Sequence, residues 1–233
     1  MNFFEENAEH RVTVSMHVNE VKLAKHLPKP WQLNIPTEGV NKGFDLQLEF
    51  RDRILDLDEH RQPVAGGSER GLVILVPAKN PETGEAGLRV IREFTANPNF
   101  LPGLYNNSKL LSRMHLTQGI VADGTEPGIA TEIWELEEPG GSVANLRFEY
   151  ERGIPRRFNR TYNMYGSDDP KLTRIYKTDQ GRDAVIDVAG GIDRTRNFQL
   201  KMTLAEFAHL FDGSERMISV ETIVWYVREV FNP

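Results

Sequence analysis

Apolar residues alternate with polar ones along several stretches of this chain, and this period of two limits the fold more than any other feature of the sequence. The pattern runs over residues 12–18, 44–50 and 144–150. Successive side chains of a β-strand point to opposite faces of a sheet, so such alternation predicts strands with one buried face. The chain is therefore expected to be rich in β-sheet.

Other stretches add strands of a different kind. Residues 71–76 are apolar at every position, which is typical of a strand buried on both faces. The turn-forming segment 80–85 separates this run from a strand predicted at 88–95, so the two are expected to form a hairpin-like pair. Further strands are predicted at 114–121, 129–136, 172–177, 184–188 and 197–202.

Two short helices are predicted. The first covers residues 20–27 and ends at Pro28, which cannot continue the helical hydrogen bonds. The second begins at a capping-box pattern, Thr203 followed by Glu206, and continues with apolar residues at helical spacing to Phe211.

Two segments have no clear assignment to a helix or a strand. Residues 151–171 are polar and are expected to be irregular, and residues 219–231 fit a helix by spacing but a strand by their β-branched and aromatic content. About ten strands with two or three short helices indicate a mostly β domain of the α+β type. A closed barrel or a strongly curved sheet suits them best, because closure removes exposed sheet edges. No linker or repeat divides the chain, so residues 1–233 are expected to form a single domain.

The charge and composition of the chain exclude several classes of binding partner and several kinds of chemistry. The net charge is −6 and the pI is near 5.6, which argues against nucleic acid, because nucleic-acid binding needs a basic surface. The chain contains no cysteine, which excludes disulfides, thiolate metal sites and cysteine nucleophiles. It has neither a signal-peptide pattern nor an apolar run of ~18 residues, so a cytoplasmic protein with no membrane partner is expected.

Motifs for metal, nucleotide or serine chemistry are weak or missing. Asp56, Asp58 and His60 alternate as ligand types, but they lie in a polar turn before Pro63, where Asp and His are common. The sequence has no phosphate-binding glycine loop and no Gly-x-Ser-x-Gly elbow. We therefore expect no metal and no cofactor. The arginines of the segment 147–160 fit either an anion or partner site or a solvated surface.

Lys109 stands in a different context, because it is the only charged residue between positions 100 and 112. If this lysine folds inward, burial lowers the pKa of its amine, and a neutral amine can form an imine with a ketone. The other interpretation is a surface lysine whose stem covers apolar neighbours while its amine reaches water. Both interpretations are compatible with the residues alone.

Three places in the chain carry a resemblance to a known family. They are the segment Arg11–Val14 with Pro28–Trp31 after it, the segment Ser68–Gly71 before the apolar strand, and Lys109, which follows Glu69 by 40 residues. In this order and spacing they resemble the acetoacetate decarboxylase family. They match its opening strand and Pro-x-Pro element, its Glu-x-Gly motif and its Schiff-base lysine, respectively.

The resemblance implies a closed or cone-shaped β-barrel with a few short helices, assembled as a homo-oligomer. It makes Lys109 the imine-forming nucleophile, Glu69 a polar or acid/base group facing it, and Arg11 a charge-supporting group in the same cavity. Substrate binding is assigned to three residues near the lysine: Tyr105, Arg113 and His115. The implied function is that of a lyase acting on a small keto acid or related carbonyl compound, with decarboxylase-like, aldol or dehydration chemistry.

The sequence departs from the family at the lysine itself. Leu110 stands where the family has a second lysine, and Asn107–Ser108 replaces the Gly-x-Pro turn that precedes it. Loss of the neighbouring lysine removes a like charge that would lower the pKa of the amine. The alternative is therefore a non-catalytic β-barrel that binds a small apolar or acidic ligand.

Overall fold

Long, mostly antiparallel strands account for most of the chain. The computed structural model describes residues 1–39, 41–64, 66–122, 124, 128–166, 169 and 172–233. The described strands are β1 (Asn2–His17), β2 (Gln32–Leu33), β3 (Leu46–Leu57), β4 (Glu69–Lys79), β5 (Ala86–Thr95), β6 (Ser108–Leu110), β7 (Arg113–Val121), β8 (Ile129–Glu137), β9 (Val143–Glu151), β10 (Arg156–Gly166), β11 (Thr173–Asp187), β12 (Ile192–Asp193), β13 (Thr195–Met202) and β14 (Arg216–Asn232). The same residues form one α-helix and three 3₁₀ turns: α1 (Glu20–Leu23), Ala24–His26, Pro98–Phe100 and Ala208–Leu210.

Seven of the strands close into a barrel. Hydrogen bonding runs in the order β4–β3–β1–β14–β11–β10–β5, and the pairing of β5 with β4 completes the ring. All neighbours are antiparallel except β10 and β5, whose segments Met164–Gly166 and Leu88–Val90 pair in parallel. Closure removes the edge that an open sheet would expose. The predicted closed, mostly β barrel is confirmed.

A second sheet covers one side of the barrel. Its strands run in the order β13–β9–β8–β7, all antiparallel. The main core lies between this sheet and the outer face of the barrel wall, where Val14 and Phe50 pack in one cluster with Trp134, Leu146 and Phe148. Burying one face of a sheet in this way requires the alternation seen in the sequence.

The barrel interior is polar as a consequence. In β1 and β3 the apolar positions face the second sheet, so the intervening positions, such as Arg11, Thr13, Glu49 and Arg51, lie inside the barrel and are buried. A smaller apolar cluster, which includes Val73, lies in this interior beside the charged groups. The alternation therefore places a hydrophobic core and a charged interior on opposite faces of the same strands.

The predicted helix at residues 20–27 is observed as α1 followed by a 3₁₀ turn. Its start is capped by Asn19, whose side-chain oxygen accepts the backbone N–H of Lys22 at 3.1 Å. Across the described ranges, no helix has the length and apolar character needed to cross a lipid bilayer.

The helix predicted after Thr203 is wrong. The hydroxyl of Thr203 accepts the backbone N–H of Val143 at 2.9 Å, and the carboxylate of Glu206 is bound by Arg92. Neither side chain is therefore available for a capping box, and the chain turns instead before the 3₁₀ segment Ala208–Leu210.

The irregular segment predicted at residues 151–171 is also wrong over most of its length. Residues 156–166 form β10, which pairs with β11 from Arg156 to Tyr165. The charges that obscured the strand are exposed, and Arg157 pairs with Asp179 across the ladder at 2.6 Å. Residues 167, 168, 170 and 171 of the predicted segment lie outside the described residues.

The strands predicted at 172–177 and 184–188 are parts of one strand, β11. Thr178 and Gln180 break the apolar pattern because they are buried in the polar interior of the barrel. Residues 219–231 also form a strand, as part of β14, which is paired on both sides by β1 and β11.

Candidate functional site

A network of buried charges occupies the barrel interior near Arg11. The Arg11 guanidinium donates through Nη1 to Glu49 Oε2 at 2.7 Å and through Nη2 to the carboxylate of Glu9. Its Cζ lies 4.0 Å from the centroid of the Tyr226 ring, and Gln47 donates to the other oxygen of Glu49 at 3.3 Å. Buried charges are tolerated here because each one has an opposite partner.

The network continues toward the other end of the barrel. Arg51 Nη2 donates to Glu69 Oε1 at 3.1 Å and to Glu93 Oε1 at 3.0 Å. Arg53 Nη1 lies 3.2 Å from Glu69 Oε2 and donates to Asp56 at 3.0 Å. Glu69 is therefore held between two buried arginines.

These contacts keep Glu9 and Arg11 charged. Burial raises the pKa of Glu9, but Arg11, Arg228 and the other nearby arginines outweigh it and lower that pKa from 4.5 to about 2. Burial lowers the pKa of Arg11, but Glu49 and Glu9 outweigh it and hold that pKa above its ordinary value. Both groups are ionised at neutral pH.

A cavity of about 370 Å³ opens from this interior to solvent. Its charged lining consists of three arginines and one glutamate, and its neutral polar lining is rich in amides and phenols. The residues are Arg11, Glu49, Arg160, Arg182, Asn34, Asn41, Gln47, Asn163, Gln180, Tyr162 and Tyr226. Arg160 is exposed and Arg11 is buried, so the cavity runs inward from the surface.

Of the three arginines that line this cavity, Arg160 has the fewest carboxylate partners. Arg11 is paired with two glutamates, and Arg182 is paired with Glu221. Arg160 forms no ion pair with any of the residues described by the structure, and its Cζ lies 5.9 Å from the Tyr162 ring centroid. Arg160 therefore adds to the cavity lining a positive charge that no carboxylate of the described residues contacts directly.

Two tyrosine pairs border the interior. The hydroxyls of Tyr162 and Tyr226 lie 3.2 Å apart, and Tyr105 donates to the hydroxyl of Tyr176 at 2.6 Å. Burial raises the pKa of Tyr162 and of Tyr105 well above 10, and it raises that of Tyr176 to about 12. Tyr105, Tyr162 and Tyr176 therefore stay protonated at neutral pH and act as neutral hydrogen-bonding groups.

A second cavity, of about 220 Å³, lies at the other end of the barrel. It is lined by Arg51, Arg53, Glu69 and Glu93 together with the loop around Phe100. A void of about 20 Å³ separates the two cavities, and Arg51 and Glu93 contribute to both this void and the second cavity. Arg51 and its ion pairs therefore separate the two cavities inside the barrel.

Lys109 lies outside these cavities. The parallel pairing of β6 with β5 sets Ser108 beside Glu93 and Lys109 beside Phe94. Ser108 faces inward and donates to Glu93 at 2.9 Å, so the next side chain points the opposite way. Lys109 is 44 % exposed, and its Nζ donates to Glu206 Oε2 at 2.8 Å. The structure does not bring Lys109 to Glu69, which corrects the expectation that the two face each other.

The residues assigned to substrate binding are also separated. Tyr105 is buried and lines the void between the two cavities. Arg113 and His115 are exposed on β7 of the second sheet, where Arg113 lies 3.6 Å from Glu135 and His115 contacts Thr117 at 3.0 Å. Of the three, only Tyr105 lies in the barrel with Arg11 and Glu69. The catalytic and binding roles of all these residues stay predictions.

The sequence motifs considered for ions do not converge. Asp56 is bound by Arg53 inside the barrel, whereas Asp58 accepts the backbone N–H groups of His60 and Gln62, each at 2.9 Å. In the arginine-rich segment 147–160, the structure brings only Arg160 to the cavity lining described above.

Apart from Arg11 and the arginine-rich segment that contains Arg160, the charged and amide residues of the interior are ones that the sequence reasoning missed. Gln47, Glu49 and Arg51 occupy the positions between the apolar residues of β3, and Gln180 and Arg182 occupy the polar gap within β11. The sequence did contain a signal for these residues. Polar residues that alternate with buried apolar ones along a strand also share one face of the sheet. Only the closure of the barrel identifies that face as an interior.

No family model and no curated protein matches this sequence. Solved structures do match its fold. The enduracididine biosynthesis enzyme MppR superposes with a TM-score of 0.60 at 11 % identity, covering 98 % of this chain and 86 % of MppR in a structure with HEPES buffer bound. MppR complexed with pyruvate gives the same TM-score and identity, over 98 % of this chain and 88 % of the other.

A third match is an acetoacetate decarboxylase-like enzyme from Sphingomonas wittichii RW1. It gives a TM-score of 0.59 at 11 % identity and covers 99 % of this chain and 91 % of its own. The matches span nearly the whole chain, including the barrel and the second sheet. This chain therefore has the acetoacetate decarboxylase-like fold.

Proposed function

We propose that the barrel cavity binds a small molecule carrying a carboxylate, in the class of keto acids and related carbonyl compounds. The observation that carries the proposal is the cavity of about 370 Å³ whose lining holds Arg160 without an ion pair in the described part of the chain. A carboxylate supplies the missing partner through charge-assisted hydrogen bonds. MppR, which shares the fold, is known in complex with pyruvate, which belongs to this chemical class.

The rest of the lining suits such a ligand. The amides of Gln47 and Gln180 and the neutral phenol of Tyr162 supply hydrogen bonds without adding charge. Glu49 is already bound by Arg11 at 2.7 Å, so it opposes an anion less than a free carboxylate would. The cavity has the size of a small-molecule site.

The test compares pyruvate with its uncharged amide by calorimetry. We expect pyruvate to bind and the amide to bind more weakly, and we expect Arg160→Gln to weaken pyruvate binding by about tenfold or more, because a hydrogen bond to a charged group is lost. Arg156→Gln is the matched control, since Arg156 lies on the same strand but outside the cavity lining. Equal affinities for the two variants, or equal binding of acid and amide, would contradict the proposal.

Lyase chemistry through a Schiff base on Lys109 is the second candidate. It is favoured by the acetoacetate decarboxylase-like fold and the spacing of Lys109 from Glu69 in the sequence. This chemistry requires the Lys109 amine to break its hydrogen bond with Glu206 and to contact a carbonyl compound. Among the described lysines, none lines any of the three barrel cavities.

Borohydride reduction separates the two candidates. The chain is treated with sodium borohydride together with pyruvate and a panel of small keto acids, and modified peptides are mapped by mass spectrometry. Binding without imine chemistry predicts no reduced adduct at Lys109. An adduct there that Lys109→Met abolishes would establish the lyase candidate in its place.

A further inference from the structure

A cluster of three metal-ligand side chains lies where β1 ends, α1 begins and β3 is about to start. His17, Glu20 and Asp45 each offer one ligand atom, and these atoms lie within 4.8 Å of one another. Residues far apart in sequence meet here because Asp45 N–H donates to the carbonyl of Met16 at 3.0 Å. The cluster contributes no residue to the lining of the barrel cavities.

Asp45 lies close to His17 without forming a hydrogen bond with it. Its side chain is fully buried, and Oδ1 accepts the backbone N–H of Val18 at 2.9 Å. Its Oδ2 has no hydrogen-bond partner, although His17 Nδ1 lies only 2.8 Å away. The ring nitrogen and the carboxylate oxygen are thus close together without being aligned for hydrogen bonding. Two ligands directed at a common ion have this relationship.

Apart from His17, no cationic side chain of the described residues pairs with the two carboxylates of the cluster. Neither Glu20 nor Asp45 forms an ion pair with lysine or arginine within the described ranges of the chain. A divalent cation would neutralise both carboxylates, whereas buried carboxylates elsewhere in this chain are matched by arginine.

We propose that His17, Glu20 and Asp45 bind a divalent first-row metal ion, for which Zn²⁺ is the probe. An imidazole nitrogen with two carboxylate oxygens is a ligand set that zinc accepts. Adjacent ligands bonded to a tetrahedral zinc ion at about 2.0–2.1 Å lie about 3.3 Å apart. His17 Nδ1 and Asp45 Oδ2 are 2.8 Å apart, so these two atoms would separate by about half an ångström on binding. Glu20 is exposed at the start of α1 and can shift to complete the set.

The bound ion would link three elements that are separated along the chain. His17 ends β1, Glu20 begins α1, and Asp45 immediately precedes β3. Phe44, beside Asp45, lines the barrel cavity of about 370 Å³. The ion therefore has a structural role, in which it holds one border of that cavity in place.

The experiment is a zinc titration of the chelator-treated, tag-free chain by calorimetry, with the melting temperature measured in parallel. We expect one tight site that Glu20→Gln weakens by about tenfold or more, the size of effect typical for groups that hold a metal. Glu20→Gln should fold normally, because Glu20 is exposed and forms no ion pair among the described residues. His17→Gln should abolish the site.

Glu59→Gln is the matched control. Glu59 and His60 are an exposed acid–histidine pair 3.8 Å apart, with no place in the cluster. The control should keep the zinc affinity of the unmodified chain, and zinc should raise the melting temperature of the control but of neither cluster variant. Equal zinc binding by Glu20→Gln and Glu59→Gln, or no zinc binding by the unmodified chain, would overturn the proposal even if His17→Gln fails to fold.

Discussion

The charged side chains inside the barrel are stable only as partners of one another. Arg11, Arg51 and Arg53 are almost completely buried, and each contacts at least two carboxylates. Removing one member of such a set leaves an uncompensated buried charge, which costs far more than loss of a surface ion pair. Glu9 is the clearest example, because arginines on several strands act on its carboxylate.

The stability of the protein is expected to fall as pH decreases from about 4.5 to about 2. The folded-state pKa of Glu9 is about 2, against an ordinary value of 4.5, so folding is favoured by the ionised form and this contribution is lost on protonation. A depression of this size corresponds to about 3 kcal/mol. Urea unfolding across this pH range measures the loss.

Glu9→Gln should be less stable than the unmodified chain at neutral pH and should show a smaller loss on acidification. Glu38→Gln, at an exposed position, should follow the pH dependence of the unmodified chain. An unchanged dependence of stability on acid pH in Glu9→Gln would argue against the role of Glu9.

Asp56 affects the pH dependence of stability in the opposite direction. Its folded-state pKa of about 6, raised by burial, makes stability fall as pH rises from 3.8 to about 6.

The pairing of β4 with β5 is the element contact that closes the barrel, and it leaves no room for a side chain at Gly71. Gly71 lies opposite Thr95, and a Cβ at position 71 would collide with the carbonyl oxygen of Phe94. The obstructing atom belongs to the backbone of a paired strand, so it cannot rotate away as a side chain would. Glycine is required here by the close approach of two strands.

Gly71→Ala is expected to destabilise the fold by about 1–3 kcal/mol, because the strands must separate locally to accept the methyl group. Gly119→Ala is the control, since Gly119 also lies in a strand, β7, and a Cβ there would meet nothing within 4 Å. Urea denaturation of both variants gives the comparison. Similar midpoints for the two would show that the β4–β5 contact is looser than described.

The barrel and the second sheet share one hydrophobic core. Phe50 of the barrel wall lies with its ring centroid 6.0 Å from that of Trp134 in the second sheet. Leu146 and Phe148 of β9 are fully buried in the same cluster. Neither sheet can bury its apolar face without the other, so we infer that residues 1–233 form a single domain.

Leu146→Ala should lower the stability of the entire molecule by about 2–5 kcal/mol, because it leaves a cavity in the shared core. Tryptophan fluorescence and far-ultraviolet circular dichroism are expected to report one coincident transition that shifts as a whole. Leu110→Ala, at a more exposed leucine, should shift the transition much less. Two separated transitions in the Leu146 variant would contradict a single domain.

Much of the fold follows from local patterns, whereas the site does not. The alternating segments 12–18, 44–50 and 144–150 fall within β1, β3 and β9 except for residues 18, 44 and 45 at their ends. The helix predicted from Thr203 and Glu206 failed because partners distant in sequence bind both side chains. Long-range hydrogen bonds of this kind are invisible to a pattern of neighbours.

The period of two in the sequence by itself determined that this chain forms a β-rich fold with each long strand divided into an apolar and a polar face. Only the tertiary structure decided that the polar face of β1 and β3 is the inside of a closed barrel, and that Ser108 points into it while Lys109 points out. The physical reason is that alternation defines two faces, while barrel closure and strand register decide what covers each face. A shift of one residue in the pairing of β5 with β6 would exchange Ser108 and Lys109.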